Sequence, residues 1–447
     1  MGNLNIVYLH AHDAGRAVSP YGYPVATPNL QRFAEEGVVF RNAFCAAPTC
    51  GPSRTAMLTG AYPHEVGMFG LSGQGWLVDD YEKHLAPVLK GMGYETVLAG
   101  CQHEAHHADL GVLKYDRILD TRAKQGEFYQ ETIDHVERYL AERRLAAEDQ
   151  PFFLSVGLDE PHRNNIPRPE SAIGGESARF SKTRYYDPDR LDSRFVAPLP
   201  GLPDVPAIRQ DIASLYEGSR IMDEYMGRVI YAIDHYGFGE SPLIVVTTDH
   251  GIEFPGGKKT LGDLGIGVML MMQGPTAYAD GAFSGGRVID ALVSQMDVAP
   301  TLLDAIGESP RPWYRGSSLL PLLRGEEASV RDEIYSEQTY HGSLEPLRCI
   351  RTSRHKLTLR HFPTGPRMRQ DGPSTQVMAD AGWYDRSLGN AELYDLYLDP
   401  QEACNRIADP AYRDTAADLR RRLDAWMKET GDCFPSGEFP DIPQLQQ

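Results

Sequence analysis

The chain has 447 residues, 41% apolar and 24% charged, enough to bury a sizeable core in one large domain and a smaller one. Its 44 Lys and Arg against 62 Asp and Glu leave a net charge of −18, which argues against nucleic acid or an anionic membrane surface as partner. An anionic ligand would have to be met by local positive potential. The six cysteines are too few for a disulfide scaffold, and their spacing matches no zinc motif. No apolar run reaches the roughly 18 residues of a membrane span. No basic, apolar leader precedes the first strand, so cytoplasm is the expected compartment.

Residues 5–9 read as a buried strand ending in His10-Ala11-His12-Asp13. Thr27-Pro28 opens a helix that runs to residue 36, and a strand over 38–40 follows Gly37. The stretch Ala47-Pro48-Thr49-Cys50-Gly51-Pro52-Ser53-Arg54 delivers Cys50 to the start of a short helix, with Pro52 in the first turn and Gly60 at the exit. At the positive end of a helix dipole the Cys50 thiol is expected to be acidic and reactive. Residues 62–75 read as surface loop, 85–91 as helix, and 95–99 as a strand ending in Cys101-Gln102-His103, with His106 and His107 beyond. Residues 128–147 carry the charge of a solvated outer helix. A strand over 151–158 leads into Asp159-Glu160-Pro161-His162-Arg163, and 164–205 form an irregular rim or lid. A long amphipathic helix over 211–236 precedes a strand at 242–248, Asp249-His250-Gly251 and a loop carrying Lys258. A strand at 268–272 and a helix opening at 297 complete the series.

This alternation predicts a doubly wound α/β domain over residues 1–325, with right-handed crossovers. Over 326–447, short strands at 333–335, 348–351 and 355–359 and a helix near 415–430 predict a small α+β subdomain, and 439–447 a loosely held tail.

Four strand ends thus carry His12/Asp13, Cys101/His103, His162/Arg163 and Asp249/His250, with Cys50 among them. A single histidine is ordinarily structural, but the set points to a functional centre at one sheet edge. The residue types suit attack on a tetrahedral oxyanion. Asp13 and Asp249 would hold a divalent cation. Arg54 would pair with charge developing on the nucleophile, Lys258 would meet ester oxygens, and a histidine would protonate the leaving group.

Cys50-Gly51-Pro52-Ser53-Arg54 with Leu58-Thr59-Gly60 resembles the signature of the type I sulfatase family, within the alkaline phosphatase superfamily. The resemblance continues through Asp159-Glu160-Pro161-His162-Arg163 and Thr248-Asp249-His250-Gly251 to Glu392-Leu393-Tyr394-Asp395. The strings Gly67-Met68-Phe69-Gly70-Leu71 and Gly251-Ile252-Glu253-Phe254-Pro255 are most similar to the heparan N-sulfatase (sulfamidase)-like members. It implies a large mixed, mostly parallel sheet flanked by helices, with a smaller C-terminal subdomain carrying an antiparallel sheet and a terminal helix. It implies hydrolysis of a sulfate ester or sulfamate on a small anionic substrate, a sulfated sugar or an aryl sulfate. Implied too are Cys50, Arg54, His103, His162 and Lys258 as catalytic residues, and a divalent metal at His12, Asp13, Cys50, Asp249 and His250. Calcium is the family's metal, with manganese or magnesium as alternatives. In the family the cysteine is oxidised to formylglycine by a separate formylglycine-generating enzyme, and the aldehyde hydrate is the nucleophile.

Three departures stand out. His12 occupies a position where the family usually has aspartate, Cys101 one where it has lysine, and His250 one where human members have asparagine. Imidazole is a poor calcium ligand, so either His12 does not ligate or the metal is softer, such as manganese. The Asp-His pair also occurs in phosphonate monoester hydrolases, which makes phosphonate monoester or phosphodiester hydrolysis the rival activity. A non-catalytic anion-binding relative is a third reading, and a homo-oligomer stays open.

Overall fold

The computed structural model describes residues 4–119, 130–146, 149–166, 177–183, 185–239, 242–363 and 368–443. The large sheet contains β1 (Asn5–Ala11), β2 (Val38–Phe44), β3 (Glu95–Gly100), β4 (Arg117–Ile118) and β5 (Phe152–Gly157). After a two-stranded ribbon of β6 (Asn164–Ile166) and β7 (Ser177–Arg179), the chain returns to it with β8 (Pro242–Thr248), β9 (Leu270–Gln273) and β10 (Arg287–Ser294). The order is β10-β2-β9-β8-β1-β5-β3-β4. All neighbours are parallel except at β9, which runs antiparallel to both β8 and β2. The sheet is therefore mixed. Alternation of strands and helices does not foresee the reversed strand: β8 and β9 are joined by a loop with one short helical turn (Asp263–Ile266), not by a crossover helix.

The helices α1 (Pro28–Glu36), α2 (Cys50–Thr59), α3 (Leu85–Lys90), α4 (Gln130–Ala146) and α5 (Pro206–His235) cover the sheet. Alternate residues of β1 serve opposite faces. Val7 and Leu9 pack in one core with Phe33 of α1, Ile133 of α4 and Met222 of α5, while Ile6 and Tyr8 pack in another with Met57 of α2 and Leu89 of α3. Burying each such aliphatic side chain contributes about 1.5–3 kcal/mol.

The smaller sheet is antiparallel, in the order β11 (Glu333–Tyr340), β12 (Leu344–Thr352), β13 (His355–Arg360), β14 (Ala391–Asp395). The helix Arg413–Glu429 lays Leu419, Leu423 and Trp426 on Ile350, Leu357 and Leu393. This sheet also supports the loop before α2. The Glu337 N–H donates to the Ala46 carbonyl (2.8 Å) and the Ser336 hydroxyl to that of Cys45 (2.7 Å).

Several sequence expectations are sharpened or corrected. The helix α4 is the charged outer helix expected, and it packs Ile133, Val136, Tyr139 and Leu140, at helical spacing, into the core with the sheet and α5. Residues 62–75 are not only surface loop, since Val66 and Met68 form a small core with Trp76 and Tyr340. The start of the tail is held at Pro440, whose carbonyl accepts from the Tyr340 hydroxyl (2.6 Å). The ends of the predicted 128–147 helix, rim residues 167–176 and 184, and tail residues 444–447 lie outside the described residues. Among the described residues no helix is long and apolar enough to cross a membrane.

Candidate active site

The strands β8, β1, β5 and β3 are consecutive parallel neighbours, so their C-terminal ends open on one edge of the sheet. That edge gathers Asp249/His250, His12/Asp13, His162 and Cys101/His103. The strand β2, antiparallel to β9, points the same way and leads into the Cys50 loop. Cys50 is the first residue of α2, Thr49 is its N-cap in extended conformation, and Gly60 closes the helix at φ 67°. Gly51 is required by packing: a Cβ there would lie 2.7 Å from Met68 Cε and 3.0 Å from the His103 carbonyl, so the chain after β3 rests directly on the start of α2.

Asp13, in the left-handed region at φ 60°, donates its N–H to Asp249 Oδ1 (2.9 Å), which sets two carboxylates side by side. One donor atom from each of His12, Asp13, Cys50 and Asp249 lies within 4.8 Å of the others, and all four residues are buried. His250 joins this group, its Nε2 standing 3.4 Å from Cys50 Sγ and 3.3 Å from Asp13 Oδ1, while its Nδ1 is 2.9 Å from the Gly251 carbonyl. Two carboxylates, imidazole and a position-50 side chain are donors suited to a divalent cation, so the predicted set fits such an ion. His12 differs from the others: its Nδ1 is 2.8 Å from Asp13 Oδ1, and its Nε2 faces His103 Nδ1 at 3.1 Å.

The cations hold this centre in place. Lys258 Nζ donates to Asp13 Oδ2 (2.7 Å) and lies 3.3 Å from Glu253. Arg54 is hydrogen-bonded to a carboxylate, while its charge still acts on the Cys50 thiol in the lowering direction. It grips Asp249 Oδ2 through Nε (3.2 Å) and Nη2 (3.0 Å) and reaches the Ala11 carbonyl and His10. The reason is geometric: one turn beyond Cys50, its side chain enters the sheet edge between β1 and β8, where Asp249 is fully buried and needs a counter-charge.

Electrostatics follow burial. Burial pushes the Cys50 thiol well above its ordinary value, outweighing Lys258, and Asp13 and Asp249 add to the rise. Desolvation and the two neighbouring carboxylates thus work against the acidic thiol expected at a helix N-terminus. Burial opposes ionisation of Asp249 and Asp13 as well, yet the neighbouring His250, His12 and Arg54 for the first, and Lys258 for the second, hold both carboxyls low. Burial lowers His12 to about 4 and takes His103 well below the usual imidazole value, so both rings are neutral.

Cys50 opens on a cavity of about 300 Å³ shared with His103, His162, Lys258, Glu253 and His341. His162 lines the cavity with its Nε2 3.8 Å from Asp13 Oδ2, while its Nδ1 is buried and has no hydrogen-bond partner among the described residues. Sequence reasoning missed four of the contributors. Glu253 anchors both Lys258 and Lys259, His10 accepts from Arg54, and His341 enters from β11 of the other sheet, as Asp371 does from beyond β13. Glu253 and His10 sat within motifs already in view. Nothing near His341 or Asp371 in sequence signals their place.

A family model for sulfatases matches residues 4–308, and one for the N-sulphoglucosamine sulphohydrolase C-terminal region matches residues 258–365. Human N-sulphoglucosamine sulphohydrolase is 28% identical, with 99% of this chain and 94% of that protein covered. An ulvan-active sulfatase of Formosa agariphila is 27% identical, with 96% of this chain and 81% of that protein covered. Among solved structures, a protein in complex with its substrate D-glucosamine-2-N,6-O-disulfate superposes with a TM-score of 0.69 at 20% identity, covering 98% of this chain and all of that one. A phosphonate monoester hydrolase from Silicibacter pomeroyi gives 0.65 at 20% identity, covering 96% of each chain. The sulfatase match takes in the whole large sheet and every strand end at the site, and the chain belongs to the sulfatase family, enzymes that hydrolyse sulfuric esters.

Proposed function

We propose that this sulfatase acts on a sulfate ester or sulfamate of a sulfated sugar, through a formylglycine hydrate at position 50 and a divalent cation. The observation that carries the reading is the placement of residue 50. It begins α2, adjoins Asp13, Asp249 and His250, and faces a cavity walled by His103, His162 and Lys258. Residue 50, Asp13, Asp249 and His250 would hold the cation, with His12 alongside; calcium is the family's metal, and the imidazoles favour a softer ion such as manganese. When bound, the ion neutralises charge on the sulfate oxygens and favours the ionised nucleophile.

The chain's own groups account for the rest. A formylglycine-generating enzyme brings the oxidant that takes two electrons from the Cys50 Cβ; the C–S bond breaks, the sulfur leaves as hydrogen sulfide, and the aldehyde formed hydrates to a geminal diol. One hydroxyl oxygen bonds to sulfur as the bond from sulfur to the sugar oxygen or nitrogen breaks. His162 lines the cavity and supplies the leaving group's proton through Nε2. His103, held neutral, serves as a hydrogen-bonding group. Loss of the proton from the second hydroxyl then re-forms the aldehyde C=O and expels sulfate. Lys258 places its charge toward the sulfate oxygens, and Arg54 keeps Asp249 ionised and in position.

Mass spectrometry of the peptide carrying residue 50 tests the nucleophile. An aldehyde or its hydrate is expected, whereas an intact thiol in active enzyme overturns the mechanism. A substrate panel of an N-sulfated sugar, an O-sulfated sugar, an aryl sulfate and an aryl phosphonate ester tests the rest. Fastest turnover on a sulfated sugar is expected; dominant phosphonate hydrolysis assigns the site to the rival chemistry. No turnover on any of the four by matured protein leaves the anion-binding reading.

A further inference from the structure

We propose that, on the reading of the substrate as a sulfated sugar, Asp371 and His341 form the subsite that binds its free hydroxyl groups and selects against further sulfation there. Both line the cavity on which Cys50 opens, yet both come from the C-terminal part of the chain, outside the large sheet. Asp371 is exposed, and neither its carboxylate nor the His341 ring has a hydrogen bond or ion pair among the described residues. The other carboxylate on this wall, Glu253, is taken up by Lys258 (3.3 Å) and Lys259 (3.1 Å).

An uncommitted carboxylate is out of place in an anion's cavity unless the ligand also brings donors to it. A carboxylate only accepts hydrogen bonds, a sugar hydroxyl donates, and a charge-assisted bond of this kind is stronger than a neutral one. A second sulfate in the same place would meet a like charge, so attraction and repulsion select the same ligand. Burial, and then Lys259 and Lys258, lower the His341 imidazole to about 3, so the ring is neutral and offers one donor and one acceptor. The main chain at both residues is held in place. The Gln370 side chain donates to the Lys258 carbonyl (2.5 Å) and accepts from the Tyr384 hydroxyl (2.9 Å), and Lys259 Nζ donates to the Arg369 carbonyl (2.9 Å). After Asp371 the chain lies against Arg163, where a Cβ at Gly372 (φ 101°) would collide with the guanidinium. His341 follows β11, whose last residue, Tyr340, donates its N–H to the Phe69 carbonyl (3.0 Å). The segment carrying Asp371 is thus tied to the loop of Lys258, the residue that meets the sulfate. Hydroxyl and sulfate are read at a fixed separation, which lowers the ordering cost of binding.

The test reads affinity and does not depend on turnover or on formylglycine. Full-length Cys50→Ala protein, with manganese supplied, is titrated by calorimetry with glucosamine N-sulfate, glucosamine 6-O-sulfate and methyl sulfate. The tighter of the two sugars is expected to bind at least about 10-fold more tightly than methyl sulfate, and more tightly than glucosamine N-sulfate sulfated at every hydroxyl. Adding Asp371→Asn, with folding checked by circular dichroism, weakens that sugar about 10- to 100-fold and narrows its preference over the fully sulfated form. Methyl sulfate does not weaken, because the change removes a negative charge from the wall of an anion cavity. His341→Ala weakens the sugar about 3- to 10-fold, and His341→Gln, which keeps a donor and an acceptor, restores most of the loss. A sugar bound no more tightly than methyl sulfate or than the fully sulfated form, equal losses for sugar and methyl sulfate, unchanged affinity in Asp371→Asn, or no effect of His341→Ala overturns the subsite. These affinities in a protein that turns over no sulfate would remove the hydrolysis and keep the subsite. Sulfate turnover without them would leave a sulfatase that reads its sugar elsewhere.

Discussion

Two of the ionic clusters among the described residues are built for different ends. At the junction of the two sheets, Asp263 accepts from Arg351 (2.9 Å) and Lys356 (2.9 Å), Lys356 also pairs with Glu402, and Glu402 accepts from the Asp263 N–H (2.6 Å). Each carboxylate there is answered by a cation or a backbone donor, and none of the four residues lines the cavity. At the active site, Asp13 and Asp249 are likewise matched by Lys258 and Arg54, yet they are set against one another and against Cys50 beside open space. Buried charge alone marks neither a site nor a scaffold. Like charges held together next to a cavity mark the site, because only a ligand or a cation completes them.

Breaking each cluster in turn sharpens the contrast. The largest effect is expected from Cys50→Ala, which removes the reacting position without disturbing a charge. Turnover should fall at least about 10³-fold, with the thermal midpoint unchanged by circular dichroism. Asp249→Asn should lower kcat/KM about 10²- to 10³-fold. It should also lower unfolding free energy by about 3–5 kcal/mol in urea melts, since the Arg54 guanidinium is left buried without its partner. Lys356→Met removes a buried cation from the junction and should cost a similar about 3–5 kcal/mol. Its kcat per folded molecule should stay within about 2-fold, because the junction touches no reacting atom. A large kcat loss in Lys356→Met would show that the two clusters act as one.

The smallest effect belongs to His64, which joins the loop after α2 to Glu337 of β11. Burial lowers this imidazole's pKa, but the Glu337 carboxylate raises it more, leaving it above the ordinary 6.5. A raised folded value means that the contribution is complete below about 6.5 and is lost as pH climbs through the folded value. Urea midpoints should therefore decline across that window, and His64→Gln should flatten the decline. An equal slope in that variant would place the pH dependence elsewhere.

The sequence by itself determined β1, β2, β3, β5, β8 and β9 of the large sheet and the four strand ends, because apolar runs and helix punctuation are local; the edge strands β4 and β10 carried no such signal. It determined that Cys50 begins a helix, since Thr49, Pro52 and Gly60 bracket the turn. It determined the family, through contiguous strings of residues. Tertiary structure decided what no local pattern carries. It reversed β9, because a loop with a single helical turn replaced a crossover. It turned Arg54 onto Asp249, raised the Cys50 thiol by desolvation, and carried His341 into the cavity from the other sheet. It also placed Cys101 against His12 and His103, although 91 residues separate the two histidines and the cysteine spacing shows no motif. Those contacts join segments remote in sequence, with β1 and β3 brought to either side of β5, so their physics exists only once the sheets have formed.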